Sequence, residues 1–547
     1  MVVVSSVLGL LGPYIVGMAI DDYLVTSNGA NLGLALIGLL FVYLFHSLAV
    51  LLQNFWMVGI AQKTVFTMRT QLVRHLQRLP IPFFDKRQHG ELMSRVTNDM
   101  ENVSSTLNSS VIQIFSSVLT FIGIIIVMLI LSPLLTVITL LVIPAMVFGM
   151  KWITRRTSIF FKEQQRHVGE LNGYIEETIS GQRIVKAFSQ EQHVIEQFAE
   201  KNERLRGASF WAQTYSGFIP KLMNMLNSMS FALIAGIGGL LALNGAISIG
   251  VIVIFAEYAR QFTRPLNDLA NQFNTLLSAI AGAERVFDII DETPEQDEQD
   301  AGTLSSVKGD VSFQHVSFSY EKGQPTITDV SFSATAGDTV ALVGPTGAGK
   351  TTIINLLSRF YDPTAGVIQI DGYDLTSIQR ENLRQHMGFV LQDSFLFQAT
   401  IRENIRYGRL DASDDEVEQA AKMANADAFI RKLPNGYDTW LAQDGGGISQ
   451  GQKQLLSIAR AILANPSILI LDEATSSIDT VTELKIQEAL QRLMEGRTSF
   501  IIAHRLNTIE RADNILVLKE GEVIEQGSHL ELLNKRGFYY RMHNQTS

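Results

Sequence analysis

A chain of 547 residues is too long for one compact domain, and a formal charge of −10 with only 18% charged residues excludes a nucleic-acid coat, which needs a basic surplus to meet phosphate. The lack of cysteine excludes disulfide frameworks, thiolate metal sites and cysteine nucleophiles together. With 46% hydrophobic residues and a mean hydropathy of +0.16, apolar residues must be concentrated in one part of the chain, and a membrane portion is expected.

The first basic residue is Lys63, and before it the only charges are Asp21 and Asp22, with apolar stretches on either side. No charge falls between 102 and 150, a block of 49 positions interrupted by Ser132-Pro133. At about 1.5 Å per residue such a block exceeds twice a ~30 Å hydrocarbon core, which predicts a helical hairpin. A third uncharged block of 35 positions covers 222–256, with Asn244-Gly245 as its turn signal. Six spans are expected, near 2–20, 33–60, 110–131, 134–154, 218–243 and 247–267, in a helical transmembrane domain over 1–290. Val2 follows no basic segment and precedes no small-residue cleavage pattern, so a signal peptide is not expected and a shortened N-terminus is.

The short turns between spans hold no Lys or Arg, whereas the connection 61–109 holds seven and 151–220 holds ten. Basic residues mark the cytoplasmic side, so both connections and the N-terminus are expected there. Spacing near 3.6, as in Leu171, Tyr174, Ile175 and Thr178, predicts helical stalks over 61–109 and 155–217. Pro80, Pro82 and Gly90 break the first stalk and leave a short exposed helix, which periodicity alone reads as a plain turn. Counting forward from Ala246, Glu257 falls about 16 Å deep, near the bilayer midplane. A carboxylate there is costly, so Glu257 is the candidate residue of a substrate cavity that favours cationic amphiphiles; the alternative is an i,i+3 pair with Arg260.

After 290 the composition changes. Asp291, Glu292, Glu295, Asp297, Glu298 and Asp300 crowd into ten residues, and 291–308 reads as a solvated linker. Beyond it, apolar runs at 311–313, 339–343, 366–370, 468–471, 500–503 and 514–518 alternate with helical patterns, which predicts an α/β domain over 309–547. The run 339–343 leads straight into Gly344, Pro345, Thr346, Gly347, Ala348, Gly349, Lys350, Thr351 and Thr352, the phosphate-loop spacing. Glycines let backbone N–H groups converge on phosphate at a helix N-terminus, Lys350 reaches the β and γ phosphates, and Thr351 binds Mg²⁺. The run 468–471 ends in Asp472 and Glu473, two carboxylates at a sheet's C-terminal edge: the first for the Mg²⁺ shell, the second to polarise an attacking water.

Between these elements lies Gly447-Ile448-Ser449-Gln450-Gly451-Gln452-Lys453-Gln454, which resembles the ABC signature Leu-Ser-Gly-Gly-Gln. Tyr320 stands where that family places an adenine-stacking aromatic, Gln392 lies in the Q-loop and serves Mg²⁺ and nucleotide, Ser476-Ser477-Ile478-Asp479 resembles the D-loop, and His504 looks like the switch histidine. In the first half, Phe83-Phe84-Asp85, Gly90-Glu91-Leu92, Ser94-Arg95 and Asn98-Asp99 resemble the first intracellular loop of exporter-type ABC half-transporters, and Ile175-Glu176-Glu177 through Val185-Lys186-Ala187-Phe188 their second. Nearly the whole chain is covered. The resemblance turns the bland turn near 83 into a coupling helix that docks on an ATPase domain, and has the second loop dock on the partner subunit. Two departures stand out. Gln450 replaces the first signature glycine, and Gln443 stands where a Glu is usual.

The resemblance implies a multi-domain membrane protein, an all-α six-helix transmembrane domain with long cytoplasmic extensions followed by a C-terminal α/β P-loop ABC ATPase domain. It implies a bacterial cell-membrane exporter of amphipathic or apolar molecules, with ATP and Mg²⁺ as cofactors, Glu473 and His504 as catalytic residues, and Ser449, Gln450, Gly451, Gln452 and Asp479 acting in trans. A second half-transporter subunit, non-identical rather than identical on account of Gln450 and Gln443, completes the dimer. An ATP-gated channel, a regulatory subunit and an importer on the same fold are the rival readings.

Overall fold

The computed structural model describes residues 1–25, 32–321, 323–391, 394–472, 478–503 and 506–546, in two compact units. One holds residues 1–77 and 89–292, the other 78–88 and 293–547.

The first unit is helical. Its main helices are α1 (Val2–Ala19), α2 (Leu32–Leu76), α3 (Val111–Leu131), α4 (Pro133–Ser180), α5 (Glu191–Leu243) and α6 (Ile249–Ile290). The break between α3 and α4 is local chemistry: Ser132 is extended, its hydroxyl caps α4 by accepting from the Leu135 N–H, and Pro133 takes the first helical position, where a missing N–H costs nothing. Ser248 caps α6 in the same way, accepting from the Val251 N–H. The 53 residues of α5 reach about 80 Å, far beyond a ~30 Å core, so the span and the stalk are one continuous helix. Among the described residues five helices are long and apolar enough to cross a membrane, Val2–Tyr23, Leu32–Leu76, His89–Leu131, Pro133–Ser180 and Glu191–Leu243. The sixth expected span maps onto the start of α6, where Glu257, Arg260 and Arg264 set its composition apart. Ile124, Met128, Leu135, Ile234, Phe255 and Tyr258 belong to one buried apolar cluster, and Val142, Met146, Met223 and Leu226 form another. Near the other end of α6, buried Asp99 receives Arg285 Nε at 3.0 Å and Arg95 Nη1 at 3.1 Å, which fixes the segment before α3 against α6.

Among its described residues the second unit contains ten strands: β1 (Val311–Phe318), β2 (Ile327–Ala334), β3 (Thr339–Val343), β4 (Ala365–Ile370), β5 (Tyr373–Asp374), β6 (Met387–Val390), β7 (Ile468–Asp472), β8 (Thr498–Ile502), β9 (Asn514–Lys519) and β10 (Glu522–Gly527). An antiparallel sheet has the order β2-β1-β4-β5; a larger one has the order β10-β9-β3-β8-β7-β6, parallel except for β10. The strands β3, β7 and β8 are almost wholly buried, which is why their sequences are continuous apolar runs without alternation.

The first stalk breaks at Pro80 and Pro82, but its short helix is not simply exposed: α2 stops at Leu76, and Arg78–Gln88, with its short helix Ile81–Asp85 started by Pro80 and Pro82, packs as part of the second unit. Phe83 and Leu79 are buried there, and the Tyr361 hydroxyl donates to Asp85 Oδ2 at 2.7 Å. The stretch 291–308 is also more than a solvated linker. Arg384 grips Glu295 at 2.9 and 3.0 Å, and Arg380 meets Asp297 at 3.0 Å, so two of its acids are anchored by the domain that follows.

Candidate functional site

The loop 344–349 leaves the C-terminal end of buried β3 and enters α7 (Lys350–Leu357). Gly344, Gly347 and Gly349 hold φ of 150°, 82° and 100°, a region that disfavours side chains. At Gly344 a Cβ would lie 2.2 Å from the Leu518 carbonyl oxygen, so close backbone approach as well as conformation demands glycine. Gly349 caps α7 without a side-chain hydrogen bond, and the first-turn N–H groups stay available to an anion.

Lys350 is 9% exposed, and its Nζ donates to the carbonyls of Gly344 at 2.8 Å and Pro345 at 3.0 Å. Burial holds its ammonium below the ordinary lysine range, and the Asp472 carboxylate opposes that shift. Asp472 ends β7, separated from β3 only by β8. Thr351 is exposed on the first turn of α7 and Thr352 is buried. Open donors, a buried cation and a carboxylate at the C-terminal edge of a parallel sheet fit a nucleoside triphosphate with its metal.

Tyr320 is 38% exposed. Its hydroxyl donates to Thr352 Oγ1 at 3.3 Å and accepts from Asn355 Nδ2 at 3.1 Å. Its ring meets that of Tyr361 edge-on, 4.9 Å between centroids at 85°. Burial and the neighbouring Asp85 carboxylate hold the Tyr361 phenol above its ordinary range, so it remains a donor. A chain of contacts thus runs from Asp85 through Tyr361 and Tyr320 to the first turn of α7. Sequence reasoning missed Tyr361. Its only local signal is the aromatic pair Phe360-Tyr361 just after α7, and nothing marks its partner 276 positions away.

The signature segment opens α8 (Gln450–Ala464). Ser449 accepts from the Gln452 N–H at 3.3 Å while Gln452 Oε1 accepts from the Ser449 N–H at 2.9 Å, a closed capping box. Gln450 is exposed in the first turn. Gly451 is buried; a Cβ there would sit 2.5 Å from Thr482 Cγ2 and 3.0 Å from Ile478 Cγ2, so α9 (Thr480–Met494) presses on it. Asp479 caps α9 by accepting from the Thr482 N–H at 2.9 Å, and that bond holds its carboxyl below the usual range. Gln443 begins a one-turn 3₁₀ segment in which Asp444 is left-handed at φ 52°. Glu473, His504 and Gln392 lie outside the described residues. Glu257, on α6, is 45% exposed, accepts from Gln261 Nε2 at 3.3 Å and lies 3.9 Å from Arg260, a loose form of the i,i+3 pair.

Membrane-length helices joined to a parallel-sheet phosphate-loop domain define a membrane transporter that binds ATP. Residues 1–266 match the ABC transporter transmembrane region, and 327–476 match the ABC transporter family. The chain is 64% identical over 540 residues, 98% of its length and 89% of the relative's, to an uncharacterized ABC transporter ATP-binding protein, YfiC, of Bacillus subtilis (strain 168). It is 47% identical over 481 residues, 88% of its length and 76% of the relative's, to a fatty acid ABC transporter ATP-binding/permease protein of Mycobacterium bovis. It is 38% identical over 531 residues, 97% and 88% of the two lengths, to an ATP-dependent lipid A-core flippase of Syntrophus aciditrophicus. A solved bacterial Atm1-family ABC exporter with ATP bound superposes with a TM-score of 0.78 at 30% identity, covering 100% of this chain and 97% of that one. The chain belongs to the ABC transporter family and is of the exporter type, a multi-pass membrane protein with a helical transmembrane region fused to one ATPase domain. A half-transporter of this build works as a dimer.

Proposed function

We propose that this chain is half of an exporter that couples ATP hydrolysis to outward movement of amphipathic or apolar molecules of the drug or lipid type by alternating access. One observation carries the reading: buried Lys350 opens the helix that follows β3, and the Asp472 carboxylate ends the parallel strand β7, in a chain whose other half is membrane-length helices. Lys350 and the loop N–H groups would hold the β and γ phosphates, Tyr320 would face the adenine, and Thr351, Gln392 and Asp472 would hold Mg²⁺, which neutralises phosphate charge. Glu473 polarises the attacking water and His504 orients it. Ser449, Gln450, Gly451, Gln452 and Asp479 close over nucleotide held by the partner subunit's phosphate loop.

Closure of the two ATPase domains is passed to the helices through Ile81–Asp85 and through Gln182–Ala187, where Ile184 and the C-capping Phe188 are exposed and suited to dock on the partner subunit. The asymmetry of basic residues supports a cytoplasmic N-terminus and ATPase domain. Gln450 and Gln443 favour a non-identical partner. A stable homodimer with substrate-stimulated ATPase, from the chain expressed alone, would contradict that. The scarcity of charge in the spans and the cargoes for which the fatty acid and lipid A-core relatives are named support an apolar or amphipathic cargo.

Glu257 faces the pathway in this account and favours cationic amphiphiles. Glu257→Gln should impair export of cationic dyes more than of neutral ones at unchanged basal ATPase; equal loss of both would assign it to the Arg260 pair. The hydrolytic step is tested by Glu473→Gln in the assembled dimer, which should retain ATP binding and lose more than about tenfold in turnover, since a general base contributes roughly 10²- to 10⁴-fold. Near-normal turnover would refute the assignment.

A further inference from the structure

Far from the phosphate loop in sequence, three short helices close the ATPase unit: α10 (Leu506–Glu510), α11 (His529–Lys535) and α12 (Phe538–Thr546). Caps fix the last two. Ser528 and Glu531 form a capping box on α11, and the Glu525 carboxylate accepts from the first N–H groups of α12, at 2.5 Å from Phe538 and 3.0 Å from Tyr539. The cluster they assemble is one carboxylate and two imidazoles, Glu510, His529 and His543, whose ligand atoms all lie within 4.8 Å of one another. We propose that Glu510, His529 and His543 form a binding site for a divalent transition-metal ion of the zinc type.

The distances suit such an ion. Tetrahedral zinc with bonds of about 2.0–2.2 Å to nitrogen and oxygen sets neighbouring ligand atoms about 3.3–3.5 Å apart. His543 Nε2 and Glu510 Oε1 are 3.4 Å apart, long for a charge-assisted hydrogen bond and matched to two ligands of one ion. The rings of His529 and His543 lie 5.5 Å apart between centroids. Modest side-chain rotation therefore brings the third ligand into place. The fully buried Tyr539 supplies the outer support that ligating histidines commonly have: its hydroxyl is 2.7 Å from His529 Nδ1, where it accepts the Nδ1 proton in the tautomer that frees Nε2 for metal. Two imidazoles and one carboxylate select zinc-like ions over Mg²⁺ or Ca²⁺, which prefer oxygen. Occupied, the site fastens α12 to α10 and α11.

The test uses the full-length chain, purified without a histidine tag, stripped with a chelator and dialysed against zinc with a competing chromophoric chelator. Because the chain has no cysteine, thiolates contribute no background. The proposal expects one tightly held zinc per chain, unaffected by millimolar Mg²⁺. His543→Gln and Glu510→Gln should each weaken that affinity at least about tenfold, the scale reported for disturbing even outer-shell partners. Melting curves without metal establish that both variants fold, and zinc should raise the melting temperature of the wild type but not of the variants. Wild-type protein that holds no more zinc than the Glu510→Gln, His543→Gln double variant would overturn the proposal, and the cluster would then be a hydrogen-bonded anchor for α12.

Discussion

The N-terminus of α7 and the N-terminus of α8, which the proposed function assigns to one nucleotide machinery, are built in opposite ways. Gly349 brings no side chain to α7, and left-handed glycines turn its N–H groups outward to whatever anion arrives. Ser449 and Gln452 close α8 on itself, so that helix meets its own needs before any partner is present. An unsatisfied terminus is unstable in isolation and gains most from a ligand; a capped one holds its shape and can present the Ser449 hydroxyl to a second molecule. On the proposed function, the difference separates the part of the site that this chain fills for itself from the part that it lends.

The largest break in that comparison should come from Lys350→Ala. A hydrogen-bonded buried charge contributes about 1.5–3 kcal/mol, so nucleotide affinity should fall roughly 10- to 100-fold in a titration with a fluorescent ATP analogue, without loss of folded protein. Next is Gly451→Ala. The added methyl must displace Thr482 or Ile478, and overpacking of this kind costs about 1–3 kcal/mol. The melting temperature of the variant should fall, and Thr482→Ala in the same chain should restore part of it. Ser449→Ala removes the cap of α8 at about 1 kcal/mol, whereas Ser449→Gly should cost only a few tenths. Neither should alter the affinity of the chain's own phosphate loop, which separates the lent half of the site from the kept half. The smallest effect is expected for Tyr361→Phe, which deletes the hydroxyl bonded to Asp85 and leaves the ring against Tyr320. About 0.5–1.5 kcal/mol of local stability should be lost, read as faster hydrogen exchange in Arg78–Gln88.

Which of these features sequence could reveal follows from their range. The phosphate loop was legible because its requirement is local: strand, glycines and lysine are consecutive, and β3 runs over 339–343 as expected. The strands at 468–471 and 514–518 were legible for the same reason, being apolar runs in a sheet buried on both faces. Ser449 was legible as a signature residue but not as a cap, since its i,i+3 partner is a glutamine that the motif itself supplies. The Tyr361 bond to Asp85, the Arg285 grip on Asp99 and the capture of Glu295 by Arg384 were hidden. Each joins residues 89 to 276 positions apart, and one-dimensional patterns carry no information on such pairs. The acids of 291–308 show how composition misleads: the same residues read as a solvated run in sequence become ligands for arginines folded beside them.

The central claim is that this ATPase drives movement of an amphiphile across a membrane. The direct measurement reconstitutes the native complex in liposomes and follows uptake of a fluorescent amphiphile into vesicles whose ATPase domains face outward. The account predicts ATP-dependent accumulation against a gradient, lost in Glu473→Gln while ATP binding persists. Accumulation unchanged by Glu473→Gln, or an ATP-dependent ionic current with no accumulation, would contradict it.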